Sequence, residues 1–323
     1  HSINIFEIAR LDGRAVVMSF HDFYTLCPTV QLIDGDGVFC AGKCTAGIKP
    51  CRVQLWSSGS MPPLKDRWVH VWRQRFDKAM RSCDAFVTTS DSTRGRISSN
   101  LKNIPKDRFK VIPHGRNFPD YRSVRARASA DGRIRILVPG NISEAKGLDL
   151  IWSIINFDTE DVLEFHVLGR IKDKYPSHKN FIMHGEYNRE EFHEKCADIQ
   201  PHFGIVFSIW DETWCHTLTE MWAVGLPVAV LDYPTVAGRA RETGAGWVLA
   251  HADSRALCRE LQRLGRDEGE YQRTQAAIAA WQAGERLANN TRLMAARYLD
   301  VYREAMDHRR GLCRRNAAAV SAP

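Results

Sequence analysis

The sequence predicts an α/β protein built on doubly wound parallel sheet. Three observations carry that prediction. Short apolar runs of strand length recur along most of the chain: Val16–Phe20, Ala85–Ser90, Val111–Gly115, Ile134–Val138, Phe165–Gly169, Phe181–Gly185, Ile205–Phe207, Val228–Val230 and Trp247–Leu249. Helical patterns alternate with those runs, which is the signature of strands joined by crossover helices. The chain has 323 residues, 44% hydrophobic and 26% charged, enough for two ordinary soluble domains.

The first strand, Val16–Phe20, is followed by His21. Residues 25–63 hold Gly, Cys and Pro with little periodicity and read as an irregular insertion. Leu64, Trp68, Val71, Trp72, Phe76 and Met80 then recur at helical spacing, with Arg67, Arg73, Arg75, Lys78 and Arg81 between them. Two readings of this basic amphipathic helix stay open: a helix packed on its sheet, or one docking on an anionic membrane surface. Residues 120–132 are rich in Arg, Ala and Ser and poor in large apolar side chains, which places an interdomain linker there. The expected organisation is an incomplete first domain over 1–125 with a Cys-rich insertion, a second domain over 133–290, a helix over 291–307 and a basic tail over 308–323. The tail, with Arg309, Arg310, Arg314 and Arg315, reads as solvated and disordered.

The net charge is +7 and the pI about 9.0, which favours anionic partners. No zinc finger, RNA-recognition signature or long basic run is present, so no nucleic-acid partner is expected. No apolar run approaches the roughly 20 residues needed to span a bilayer. His1-Ser2-Ile3-Asn4 opens without a basic segment or long apolar core, so no signal peptide is expected, and a first residue other than Met suggests a processed or truncated amino terminus. Of nine cysteines, Cys27, Cys40, Cys44 and Cys51 are clustered, with twelve, three and six residues between them. Four thiolates could hold a structural zinc; the alternative is four buried or half-buried thiols. The scattered remainder suits a reducing, cytoplasmic compartment.

The most informative stretch runs from Ser208 to Val228. Glu212 and Glu220 stand in it with seven residues between them, after one apolar run and before another, in a strand, polar loop, short helix, Gly-Pro break, strand arrangement. In an open α/β sheet a ligand binds outside the carboxyl ends of the strands, where both carboxylates would fall. Thr217 and Glu220 also fit a helix capping box, and Glu212 alone could be a solvated loop carboxylate. A second stretch, Pro139 to Leu150, places Gly140 at a strand end and Lys146 before a helix, a setting that suits a phosphate.

The Glu-x7-Glu pair with Ala223, Gly225, Pro227 and Val228 resembles the donor motif of retaining glycosyltransferases of family 4, also called glycosyl transferases group 1, and the likeness extends from about residue 15 to about residue 300. The resemblance implies a GT-B fold of two Rossmann-like domains and transfer of a sugar from a nucleotide-diphosphate sugar with retention, without metal chemistry. It implies a glycan or lipid-linked saccharide acceptor at the cytoplasmic face of the membrane, as in polysaccharide biosynthesis. Gly140, Asn141, Lys146 and the helix start at Thr217, Leu218 and Thr219 would meet the diphosphate. Glu220 would bind the ribose, and Glu212 the transferred sugar. His21 matches a family histidine near that sugar, with His114-Gly115 less strongly placed. Asn141 stands where the family usually has arginine, so Arg170 or Arg116 is the expected substitute cation. The family opens with a strand and Gly-rich turn well before the equivalent of His21, and nothing here matches that opening. Three rival readings are a nucleotide-binding module without transferase activity, a GT-B sugar-nucleotide epimerase, and a zinc-dependent interaction protein.

Overall fold

The computed structural model describes residues 3–44, 66–118, 124, 132–171, 175, 177–250 and 253–320. The chain divides into two compact units. One holds His1–Arg116 and Asn289–Pro323, the other Asn117–Ala288.

The first unit opens with helix α1 (Ile5–Leu11) and continues through strand β1 (Val17–Phe20), helix α2 (Asp66–Met80), strand β2 (Ala85–Thr88), helix α3 (Asp91–Asn100) and strand β3 (Phe109–Val111). The strands form a parallel sheet in the order β1-β2-β3. Phe20, Phe86 and Phe109 pack against one another, with ring centroids 5.5–6.4 Å apart. The third strand lies earlier than the apolar run Val111–Gly115 suggests. Proline and glycine at 113 and 115 end it, since proline supplies no ladder N–H, and Phe109 provides the buried register position opposite Phe86.

The second unit begins with β4 (Ile134–Pro139), α4 (Leu148–Phe157), β5 (Leu163–Leu168), β6 (Phe181–Met183) and α5 (Phe192–Ile199). It continues with β7 (Phe203–Val206), α6 (His216–Ala223), β8 (Val228–Leu231), α7 (Pro234–Thr243), β9 (Gly246–Leu249), α8 (Ser254–Arg266), α9 (Glu268–Ala283) and α10 (Glu285–Ala288). Its six strands are all parallel, in the order β6-β5-β4-β7-β8-β9. The chain starts in the middle at β4, builds outward to β6, then returns to β7 on the other side. The order therefore reverses between β4 and β7, which is where an open sheet forms its ligand crevice. Alternate residues of each strand face two apolar layers. Ile151, Ile154, Leu257 and Leu261 from α4 and α8 cover one face. Leu218, Met221, Trp222, Ile278 and Trp281 from α6 and α9 cover the other.

The last helix, α11 (Thr291–Val320), belongs to the first unit. Val301 and Ala305 pack on Ala85, Val87 and Ile112. The helix runs through the segment expected to be a disordered basic tail. Asp84 explains why: its carboxylate is almost fully buried, and the tail supplies a guanidinium and an imidazole to meet it. Arg309 Nη2 donates to Asp84 Oδ2 at 2.9 Å, and His308 Nδ1 lies 3.0 Å from Asp84 Oδ1. Val16 N–H also donates to Oδ2 at 2.9 Å. A buried carboxylate stripped of its cation would cost several kcal/mol, on the order of 3–5, which favours continued helix here over a solvated tail.

The cysteine cluster forms no metal centre among the described residues. Cys51 lies outside them. The other three thiols have separate partners: Thr29 Oγ1 donates to Cys27 Sγ at 3.3 Å, Cys40 Sγ donates to the Leu32 carbonyl at 3.0 Å, and Arg73 Nη2 donates to Cys44 Sγ at 3.4 Å. A guanidinium at Cys44 repels a second cation from that sulfur, so the structure supports no zinc. Arg73 is also not on the solvated face of α2: with Val69 and Met80 it forms the buried stripe, while Val71 is exposed. No helix among the described residues is long and apolar enough to cross a membrane.

Candidate donor-binding site

The crevice between β4 and β7 contains a cavity of about 260 Å³, lined by Gly140, Asn141, Lys146, Ser208, Glu212 and Thr217 with the strand ends beneath them. Two loops and one helix start build it. The first loop leaves β4 at Gly140, whose φ of 107° is a left-handed value. It reaches Lys146 in a single 3-10 turn, then reverses at Gly147. Gly147 has φ 79°, and a Cβ there would stand 2.2 Å from the Phe207 carbonyl oxygen. Only glycine lets this loop lie against the end of β7. Ile209 N–H donates to the Ala145 carbonyl at 3.1 Å and ties the two loops together.

Lys146 Nζ donates to Glu212 Oε1 at 2.6 Å. Ser208 Oγ donates to the same oxygen. Glu212 is buried; about a third of the Lys146 side chain remains exposed, toward the cavity. Burial is the largest single influence on Lys146 and disfavours its charge. Attraction to Glu212, a smaller contribution from Cys215 and the hydrogen bond to Glu212 together outweigh it, so its pKa lies above the ordinary lysine value. The ammonium is thus held charged at neutral pH at the edge of a concave site.

The loop into α6 is strained at one residue. Cys215, the N-cap, has φ 76° and ψ 95° with no glycine to relieve it. Arg239 of α7 braces this point. Its Nη1 donates to the Trp214 and Cys215 carbonyls at 2.8 and 3.1 Å, its Nη2 to Thr219 Oγ1 at 2.8 Å, and its guanidinium carbon sits 3.9 Å from the centre of the Trp214 ring. Burial, with a smaller push from Glu212, raises the Cys215 thiol to about 11. The Leu218 N–H donates to this sulfur.

Because Cys215 is the N-cap, Thr217 falls inside the helix and the expected capping box does not form. Glu220 instead accepts from the Tyr187 hydroxyl at 3.1 Å, a residue donated by the loop before α5. Glu220 is buried one turn behind Thr217. The structure therefore brings Gly140, Asn141, Lys146, Glu212 and Thr217 around one cavity. The side chains of Leu218, Thr219 and Glu220 do not line it: Leu218 is in the core, Thr219 is held by Arg239 and Glu220 by Tyr187. His21 lies in the other unit, directly after β1, where its ring stacks on His114 at 5.3 Å and 12°. Neither substitute cation lines this cavity. Arg170 is exposed and paired with Glu186, and Arg116 belongs to the first unit.

Ser208, Tyr187 and Arg239 escaped the sequence reading as site residues. Ser208 stands four residues before Glu212 on the same loop, and that proximity is a usable signal. Tyr187 and Arg239 come from 33 and 20 residues away from the groups they hold, and no local pattern points to them.

No family model matches the sequence, and no curated protein matches it. Solved structures do match in fold. Anabaena Alr3699/HepE in complex with UDP and glucose is 11% identical, covers 93% of this chain and 75% of its own, and superposes with a TM-score of 0.63. WaaG, a glycosyltransferase involved in lipopolysaccharide biosynthesis, is 15% identical, covers 73% of this chain and 66% of its own, and has a TM-score of 0.53. The pneumococcal O-GlcNAc transferase GtfA, in complex with UDP and GlcNAc, is 12% identical, covers 94% of this chain and 54% of its own, and has a TM-score of 0.56. The fold is the α/β GT-B fold of glycosyltransferases, with two Rossmann-like units.

Proposed function

We propose that the chain is a retaining glycosyltransferase that moves a sugar from a nucleoside-diphosphate sugar to a glycan or lipid-linked saccharide. One observation carries the reading: a charged lysine and a buried glutamate are hydrogen-bonded at the mouth of a cavity set where the strand order reverses, beside a helix start. Structures similar in fold hold UDP with glucose and UDP with GlcNAc, which supports a donor of that class.

In this reading the diphosphate occupies the cavity. Lys146 and the first-turn N–H groups of α6 neutralise its charge as it leaves, with Gly140 and Asn141 allowing its close approach. Glu212 accepts from hydroxyls of the transferred sugar, which requires it to exchange part of its bond with Lys146 for sugar donors. Glu220, oriented by Tyr187, accepts from the ribose. The acceptor oxygen forms the new bond to the anomeric carbon on the face from which the phosphate departs, and its proton passes to the leaving phosphate oxygen. No protein nucleophile is required. Lys146 and the helix dipole supply the charge stabilisation, so the chemistry needs no metal. His21 keeps the role near the transferred sugar that the family resemblance gives it.

Calorimetric titration with UDP and GDP tests the proposal. Micromolar binding of one of them is expected. Glu220→Ala should abolish it, whereas Glu212→Ala should spare nucleotide affinity and cut transfer. Normal sugar transfer by both variants would remove the assignment.

A further inference from the structure

The first unit contains a second cavity, of about 550 Å³, built without any residue of the crevice described above. Its walls are the turn at residues 41–44, Arg73 of α2 and one stripe of α3, where Ser92, Arg96 and Ser99 follow at helical spacing. Arg73 is only 8% exposed. Its Nε donates to the Leu26 carbonyl at 2.8 Å and its Nη2 to Cys44 Sγ at 3.4 Å. Neither partner is a carboxylate, and no acid pairs with it among the described residues. A guanidinium is always charged and carries five donors. Burying such a charge without a counter-ion is strongly unfavourable.

The surroundings add positive charge rather than cancel it. Arg96 lines the same cavity, held between the rings of Phe23 and Phe39 at 5.7 and 5.1 Å and fixed by donation from Nη1 to the Ala41 carbonyl at 3.1 Å. Lys43 is on the wall as well. Asp91 is the one carboxylate among the lining residues; it is largely exposed and paired with Arg94 at 2.5 Å.

We infer that this cavity is a binding site for a phosphate-type oxyanion, a phosphomonoester or diphosphate. Two planar guanidinium forks and an ammonium around one space match the two or more charges of such a group better than the single charge of a carboxylate. Ser92 and Ser99 hydroxyls and the Asn100 amide are neutral groups of the kind that complete such a shell. Arg73 is the buried anchor and Arg96 the oriented rim. The site is independent of the transferase reading, since it would exist whatever the other unit does. The phosphate can be a free one or the headgroup of a lipid, and the two are separable.

The test uses the full chain carrying Lys146→Met, so that the crevice in the other unit cannot report. Inorganic pyrophosphate is titrated by calorimetry, and binding to phosphatidic acid vesicles is measured against phosphatidylcholine vesicles by flotation. Binding should persist in Lys146→Met and fall at least tenfold when Arg73→Met is added. Arg73 also holds the Leu26 carbonyl, so a second variant guards against misfolding. Ser99→Glu places a carboxylate on the exposed rim, next to Arg96, and should weaken binding at least tenfold in a protein with an unchanged circular dichroism spectrum. Loss of pyrophosphate binding in these variants identifies a free phosphate as the ligand; loss confined to the phosphatidic acid vesicles identifies a headgroup. Affinities for both probes that survive Ser99→Glu undiminished would overturn the site.

Discussion

Each unit of the molecule contains a buried carboxylate held by a cation, and the two pairs behave differently. Asp84 is sealed: Arg309 and the Val16 N–H meet Oδ2, His308 meets Oδ1, and Arg309 itself is buried. Glu212 is also buried, though less deeply, and its partner Lys146 reaches a cavity at the carboxyl ends of β4 and β7. The same acid–base chemistry is structural in one place and available to a ligand in the other. What separates them is whether the cation faces space that a second anion can enter. Asp84 is the more deeply buried acid, and it lines none of the cavities described above.

The largest way to break this contrast is at the sealed pair. Arg309→Met should destabilise the first unit by about 3–5 kcal/mol, because it strips the buried Asp84 side chain of its guanidinium partner. Urea unfolding would show it, with UDP affinity in the other unit retained. An unchanged midpoint would mean the pair is not what holds α11 in place.

The open pair should respond in the opposite sense. Lys146→Met is expected to lower transfer on the order of 10²–10³-fold, with a smaller effect on unfolding than Arg309→Met. Steady-state rates with a saturating donor decide this, and a rate within twofold of the parent would dissociate Lys146 from the chemistry.

A third expectation concerns pH in the second unit. His166 Nδ1 lies 2.9 Å from His184 Nε2, and burial, with the nearby positive groups at His184 and Arg135, pushes His166 down to about 4. His184 is also lowered, by burial and Lys195. Glu164 Oε2 stands 3.5 Å from His166 Nε2. Both rings fold neutral, so the unfolded chain takes up protons first. Stability should be greatest above about pH 6.5 and fall as pH drops toward 4, by roughly 2–3 kcal/mol for His166. His166→Gln should flatten that part of the profile in urea titrations at pH 7.5 and 5.

The smallest effect is kinetic. Cys83 and Cys215 have thiols raised to about 12 and about 11, chiefly by burial. Cys313 is exposed. A thiol reagent at pH 7.5 should label Cys313 long before these two, as mass mapping would report; early labelling of Cys215 would mean that the loop before α6 opens readily.

Much of the second unit was legible because its strands are apolar runs bounded by loops, and Lys146 and Glu212 each fall on a loop that follows such a run. Three features were not. Arg73 scores as polar in any amphipathic pattern, so a buried arginine on α2 looks like a solvated one. Arg309 sits in a run of cations that resembles a disordered tail, and only the distant Asp84 explains its order. Cys215 takes a left-handed backbone without the glycine that usually announces one, so the helix start is shifted and the apparent capping box at Thr217 and Glu220 is not realised. In each case the deciding partner lies far away in the chain, beyond what local periodicity can express.

The return of α11 to the first unit has a consequence for biogenesis. The chain leaves that unit after Arg116 and re-enters it at Asn289. On a ribosome, β1, β2 and β3 therefore emerge before the second unit but wait for Val301, Ala305 and Arg309, which are made after it. The intervening unit is contiguous and can mature while the earlier one still lacks its final helix. Stalled or nicked translation products ending before about residue 300 would carry a finished crevice between β4 and β7 attached to an unfinished neighbour, a natural substrate for chaperones and proteases.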